Sequence, residues 1–143
     1  GISAAVFERL AAANVNVDMI VQNTGHDGAT DLSFTLPKAD IATATGIVEQ
    51  LASEIGAKGV NHDVDIAKIS LVGAGMKTSP GVAAKMFRTV ADEGINIEMI
   101  STSTIRISIV TKAEHLEAAA RALHTAFGLD SGQSYSAPLP ERK

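Results

Sequence analysis

Few side chains in this 143-residue chain are arranged to make or break bonds. The four histidines, His26, His62, His115 and His124, are scattered along it. His62-Asp63 with Asp65 has the residue types of a metal site, but so short a cluster reads as turn or strand-end polarity. Ser101-Thr102-Ser103-Thr104 offers hydroxyls with no evident base beside them, which argues against a nucleophile. Gly73-Ala-Gly-Met-Lys77 has the glycines and lysine of a phosphate loop but not the G-x-x-x-x-G-K-[ST] spacing, so Lys77 reads as a solvated loop residue. With no cysteine in the chain, disulfide and thiolate chemistry are excluded.

Binding is better supplied than catalysis. A free amino acid needs N–H donors for its carboxylate, oxygens for its ammonium and a shaped pocket for its side chain. Helix starts at Gly1 and Pro80 would supply the first. Asn16, Asn96 and Gln22 carry amides that both donate and accept. Asn14 is set apart as a helix C-cap, because it matches Gly94 in a second copy of the same pattern.

That second copy organises the chain. Ser79-Pro-Gly-Val-Ala-Ala-Lys-Met-Phe87 runs into Gly94-Ile-Asn-Ile-Glu-Met-Ile100, and Gly1-Ile-Ser-Ala-Ala-Val-Phe7 runs into Asn14-Val-Asn-Val-Asp-Met-Ile20. The offset is constant: Gly1 matches Gly81, Phe7 matches Phe87, Asn16 matches Asn96, and Val17 and Asp18 match Ile97 and Glu98. An internal repeat outranks local propensity in a fold assignment, and this one predicts two small α+β units.

The elements follow from periodicity. Helix one is expected at about Ser3–Ala13, with Val6, Phe7 and Leu10 inward. A strand over Val15–Gln22 and another over Asp31–Leu36 form a hairpin around the turn Asn23–Gly28. Helix two is expected at about Asp40–Ile55, with Ile41, Ala44, Val48, Leu51 and Ile55 on one stripe and Gly56 as its cap. A short strand is expected over Lys58–His62.

Unit two begins with a strand over Ile66–Gly73. A helix led by Pro80 and capped by Thr78 or Ser79 follows, with Val82, Met86 and Val90 buried. Strands around Ile95–Met99 and Ile105–Ile109 come next, then a helix at about Ala113–Phe127 with Leu116, Ala120, Leu123 and Phe127 inward. The expected boundaries are residues 1–63 for unit one, 64–129 for unit two and 130–143 for a mobile tail. The fold class is α+β: two ferredoxin-like βαββαβ units, antiparallel sheets with helices on one face. Unit one lacks its first strand and unit two its last, so the chain reads as cut from a longer one. The sheet face opposite the helices is expected to carry Asn16, Asp18, Ile20 and Gln22 in one unit, and Asn96, Glu98, Ile100 and Thr102 in the other.

Twelve basic against sixteen acidic residues give a net charge of −4, and no basic run occurs. Nucleic acid and anionic membrane are therefore poor partners. No apolar run approaches the roughly 20 residues of a membrane span. Such small units should pack on each other or on a second chain, and a homodimer is expected.

The residues Gly-Met-Lys, Pro-Gly-Val-Ala, Ile-Asn-Ile-Glu-Met-Ile-Ser-Thr-Ser and Ile-Arg-Ile-Ser of unit two closely resemble the tandem ACT regulatory region of aspartate kinases. Asn-Val-Asn-Val-Asp-Met-Ile-Val-Gln-Asn and Thr30-Asp-Leu-Ser-Phe-Thr35 resemble that region's first ACT unit. The resemblance runs to about Leu129 and is nearest to the type inhibited by threonine and lysine together, in which a regulatory β subunit repeats the C-terminal part of the kinase chain.

What the resemblance implies is specific. The kinase phosphorylates the side-chain carboxylate of aspartate with ATP, the first step toward lysine, threonine and methionine. A chain without the kinase domain would not catalyse. It would bind threonine, with lysine as a second effector, and report them to a catalytic subunit or kinase domain in the cytoplasm. No cofactor or metal is implied. By that analogy the effector lies between the first unit of one chain and the second unit of its partner. Ile2, Ser3, Asn16, Val17 and Gln22 would belong to the first-unit side, and Asn96, Ile97 and Ser103 to the second. Thr104 stands where the family usually has glutamate, and Ala83 where a hydroxyl is common, which disfavours a cationic ligand such as lysine. An autonomous ACT-domain sensor serving another enzyme is the alternative, and a small enzyme using the glycine loop is a third reading.

Overall fold

Two copies of a helix, a tight turn and a strand hairpin set the architecture, as the repeat requires. The computed structural model describes residues 1–74, 76 and 79–132. In chain order the elements are α1 (Ile2–Ala12), β1 (Ile20–Thr24), β2 (Thr30–Phe34), α2 (Ile41–Ile55), β3 (Ile66–Val72), α3 (Gly81–Asp92), β4 (Met99–Thr102), β5 (Arg106–Lys112) and α4 (Leu116–Ala126). The chain divides into two units, Gly1–Val64 and Asp65 onward. Each combines an antiparallel sheet with helices, consistent with the ferredoxin-like class.

In the first unit β1 and β2 form an antiparallel hairpin, with Ile20 opposite Phe34 and Gln22 opposite Leu32. Its turn is closed by the Gly28 N–H on the Gly25 carbonyl and by the Ala29 N–H on Asp27 Oδ1, both 3.0 Å. Val6 and Leu10 of α1 and Ala44 and Leu51 of α2 make the buried core with Val15. Phe7 packs edge-on against Phe34, ring centroids 5.5 Å apart. Arg9 of α1 and Glu54 of α2 form a two-pronged ion pair at 3.0 and 2.5 Å. That pairing holds the Glu54 carboxyl below its ordinary range and the Arg9 guanidinium above its own.

The second unit holds a three-stranded antiparallel sheet in the order β3-β5-β4. Val82, Met86 and Val90 of α3 meet Ala119 and Leu123 of α4, with Phe127, over Ile107 and Ile109 of β5. On the other face of β5, Ser108 and Val110 are buried as well, and Ser108 Oγ lies 2.8 Å from Ser70 Oγ. A central strand buried on both sides explains why the chain there is so rich in isoleucine and valine.

Left-handed backbone falls where the repeat places it. Gly94 (φ 69°) and Gly56 (φ 68°) follow their helices, and Asn14 has φ 57° at the matched end of α1.

Several expectations are corrected. The connection from Val15 to Val17 is not a strand; β1 starts at Ile20 and runs on to Thr24. Ile95 is buried and Ile97 half-buried against the helices, yet Ile100 pairs with Ile109 and Thr102 with Ile107 on that same helix-facing side. Directly opposed residues share a face, so the alternation changes phase between Ile97 and Ile100. Ile20 and Gln22 lie likewise on the side of Phe34 and Leu32, not on the opposite face. No strand forms over Lys58–His62. Pro80, not Ser79, occupies the cap of α3, and no side chain caps it; the Ser79 carbonyl takes the Val82 N–H at 3.0 Å. Thr78 lies outside the described residues.

In α4 the inward residue is Ala119, not Ala120, and Leu116 is exposed, because Ala113–His115 forms a 3-10 turn before the α-helix begins. Ile55, at the end of α2, is exposed too. Leu129–Ser131 forms a further 3-10 turn where the tail was expected, and the rest of that tail, 133–143, lies outside the described residues.

Candidate functional site

The first unit gathers three of the named residues at one end. The Ala5 N–H makes the first turn's bond to the Gly1 carbonyl at 3.1 Å, which leaves the N–H groups of Ile2, Ser3 and Ala4 without helical acceptors. No acidic residue sits in that turn. Ile2 is exposed, and Ser3 is half-buried one residue on. Because Gln22 projects from the helix-facing side of β1, it reaches Ser3: Ser3 Oγ donates to Gln22 Oε1 at 2.7 Å. That helix-facing placement, opposite Leu32, is what makes the contact possible.

Asn16 and Val17 do not join them. They follow the left-handed turn at Asn14, at the far end of α1, and the 11 residues of that helix span about 16 Å. Asn16 is exposed, whereas Val17 is half-buried against the unit's own core. Val17 is thereby accounted for as packing.

The second unit repeats this division. Asn96 is exposed beyond the end of α3, and its Nδ2 reaches Glu98 Oε1 at 3.5 Å, a marginal bond. Ile97 is half-buried on the core. Ser103 lies across the length of β4, in the turn to β5, where its N–H donates to the Arg106 carbonyl at 2.7 Å and its Oγ accepts from Ile105 N–H at 3.4 Å. Ser103 therefore closes a turn. Thr104 beside it is exposed, and Ala83 packs half-buried against the core. At the positions matching Ser3 and Gln22 this unit has Ala83 and Thr102, so the serine–glutamine pair belongs to the first unit.

Glu98, beside Asn96, was not among the candidates read from the sequence. The signal was present, since Asp18 and Glu98 stand at matched places two residues after Asn16 and Asn96. Among the described residues no group of three histidine, cysteine, aspartate or glutamate side chains could hold a metal ion. Nor is any described helix long and apolar enough to cross a membrane.

The family profile described as ACT domain matches residues 1–51 and 69–127. Aspartokinase of Pseudomonas aeruginosa is 50% identical over 131 residues, which cover 92% of this chain and 32% of that protein. The regulatory subunit of aspartate kinase from Thermus thermophilus, in a ligand-free structure, superposes with a TM-score of 0.82 at 45% identity, covering 89% of this chain and 84% of that one. A structure of aspartokinase alpha and beta subunits gives 0.81 at 45% identity, covering 89% and 83%. The chain belongs to the ACT-domain family, in the form found in the regulatory region of aspartate kinases. It spans about a third of the length of the curated aspartokinases it matches.

Proposed function

We propose that this chain is the amino-acid-sensing module of an aspartate kinase and that threonine is its effector. The observation that carries the reading is the split of the candidate residues. Ser3 and Gln22 meet at one end of the first unit, while Asn96 and Ile97 stand at the α3–β4 turn of the second. Each cluster is half of a site, and a second copy of the chain brings the complementary half, so the module works as a homodimer. The N–H groups of the first turn of α1 and the Asn96–Ile97 backbone hold the carboxylate and ammonium; Gln22 faces the side chain.

Lysine is the weaker effector in this account. Thr104 stands where the family resemblance puts a carboxylate, and losing one charged partner lowers the affinity for a cation. The bound state is reported to a kinase domain or catalytic subunit in the cytoplasm, which alone performs phosphoryl transfer. Ligand that favours the dimer tightens it by mass action.

Titration calorimetry with threonine, lysine and valine, paired with sedimentation, tests this reading. Threonine should bind and raise the dimer fraction, lysine should bind more weakly and valine hardly at all. Monomer at high concentration with and without threonine, and no heat of binding, would refute it.

A further inference from the structure

We propose that Thr35 is a positioning residue: its hydroxyl pins a β-bulge at Asp18–Met19, and that bulge turns Gln22 to the side of the sheet where it meets Ser3. The inference rests on the amino-acid-sensing reading above and adds the device that aims one of its residues.

Strand side chains alternate between faces. Val17 packs on the first unit's core, so strict alternation from it would bring Met19 and Val21 to the helix-facing side and send Ile20 and Gln22 to the other. Instead Ile20 and Gln22 stand opposite Phe34 and Leu32, which pack on that core. One extra residue has entered just before β1. The backbone locates it: the Asp18 N–H donates to the Thr35 carbonyl, and the Thr35 N–H donates to the Met19 carbonyl, both at 2.9 Å. Two residues thus oppose one, which is a bulge.

A bulge leaves one donor over. Asp18 has taken the Thr35 carbonyl, and Met19 is buried, so its N–H needs a partner within the protein. It donates to Thr35 Oγ1 at 3.0 Å. Thr35 therefore holds both bulge residues, through its N–H, its carbonyl and its hydroxyl. The second unit makes the same phase change without the hydroxyl. There the Glu98 N–H donates to the Val110 carbonyl at 2.8 Å, and Met99 stands opposite Val110. Valine at this place is compatible with the bulge, and the hydroxyl is an addition of the first unit, whose shifted strand carries Gln22. Losing the bulge would slip β1 by one residue and carry Gln22 to the face away from Ser3.

Thr35→Val, which keeps the shape and removes the hydroxyl, tests the proposal beside Thr35→Ser, which keeps the hydroxyl. In the ligand-free whole chain the Met19 amide should exchange with solvent roughly 2- to 10-fold faster in Thr35→Val, the range of one hydrogen bond, and near the wild-type rate in Thr35→Ser. Threonine calorimetry should show Thr35→Val binding more weakly by roughly the same factor and Thr35→Ser close to wild type. In a Gln22→Ala background Thr35→Val should cost nothing further, because its effect passes through Gln22. Thermal melting confirms that the variants fold. Unchanged Met19 exchange in Thr35→Val, wild-type affinity despite faster exchange, or an equal loss in both backgrounds would overturn the positioning role and leave the sensing reading standing. No threonine binding by wild type, or wild-type affinity in Gln22→Ala, would overturn the sensing reading and this role in recognition with it; Met19 exchange still decides whether the hydroxyl pins the bulge.

Discussion

Asn14 and Gly94 hold the same left-handed backbone at the ends of matched helices, with φ of 57° and 69°. Glycine adopts that conformation freely, and asparagine is one of the few other residues that tolerates it. The chain after each leaves in the same direction, which is why Asn16 and Asn96 occupy the same place in their units. Asn14→Ala should destabilise the first unit by about 1 kcal/mol, whereas Asn14→Gly should be close to neutral. Chemical denaturation of the two variants checks this, and equal stability would contradict the role assigned to the turn.

The Arg9–Glu54 pair joins α1 to α2 across the first unit. Because pairing lowers the Glu54 pKa in the folded state, its contribution is present above the unfolded glutamate pKa. It is lost as pH falls through the folded value. Glu54→Gln should melt below wild type at neutral pH, and the gap should close in strongly acidic buffer. A gap independent of pH would show that packing, not charge, links the two helices.

Met86 is fully buried between the helices and the sheet of the second unit. Met86→Ala should cost about 2–5 kcal/mol, through lost burial and the cavity left behind. Met86→Leu, which nearly conserves volume, should cost less than about 1.5 kcal/mol. Denaturant unfolding distinguishes the two, and similar losses would mean that the core is not packed around this side chain.

Thr104 is exposed in the β4–β5 turn, the place where the family resemblance puts an acidic residue. Thr104→Glu should strengthen lysine binding by roughly 2- to 5-fold, the range of an exposed ion pair, and the gain should fade with added salt. Calorimetry at two ionic strengths reads both effects. Unchanged lysine affinity would remove Thr104 from the account of effector choice.

Much of the fold was legible because it was written twice. One copy of Val-Phe followed by Asn-Val-Asn-Val is a weak pattern; two at a constant offset specify helix, turn and hairpin together. The helix stripes Val6–Leu10 and Val82–Met86–Val90 follow from period alone. Two things did not. The change of phase between Ile97 and Ile100 cannot be seen in a run of alternating residues, because β4 takes its register from β5, which lies later in the chain. The same holds before Ile20, where β1 takes its register from β2, and that concealed which face Gln22 occupies. The Ala119 stripe was displaced by a 3-10 turn at Ala113–His115 that period analysis reads as more α-helix. For the candidate site, amide chemistry pointed to Gln22 and the family resemblance to Ser3, and only the fold brought the hydroxyl to the amide.

The most direct test is threonine calorimetry on the whole chain beside its Gln22→Ala and Asn96→Ala variants. The account predicts that wild type binds threonine without turning it over. Each variant should bind roughly 5- to 150-fold more weakly, as expected when about 1–3 kcal/mol of polar partnership is removed. Absence of threonine binding, or wild-type affinity in both variants, would contradict the claim that these two residues belong to one effector site.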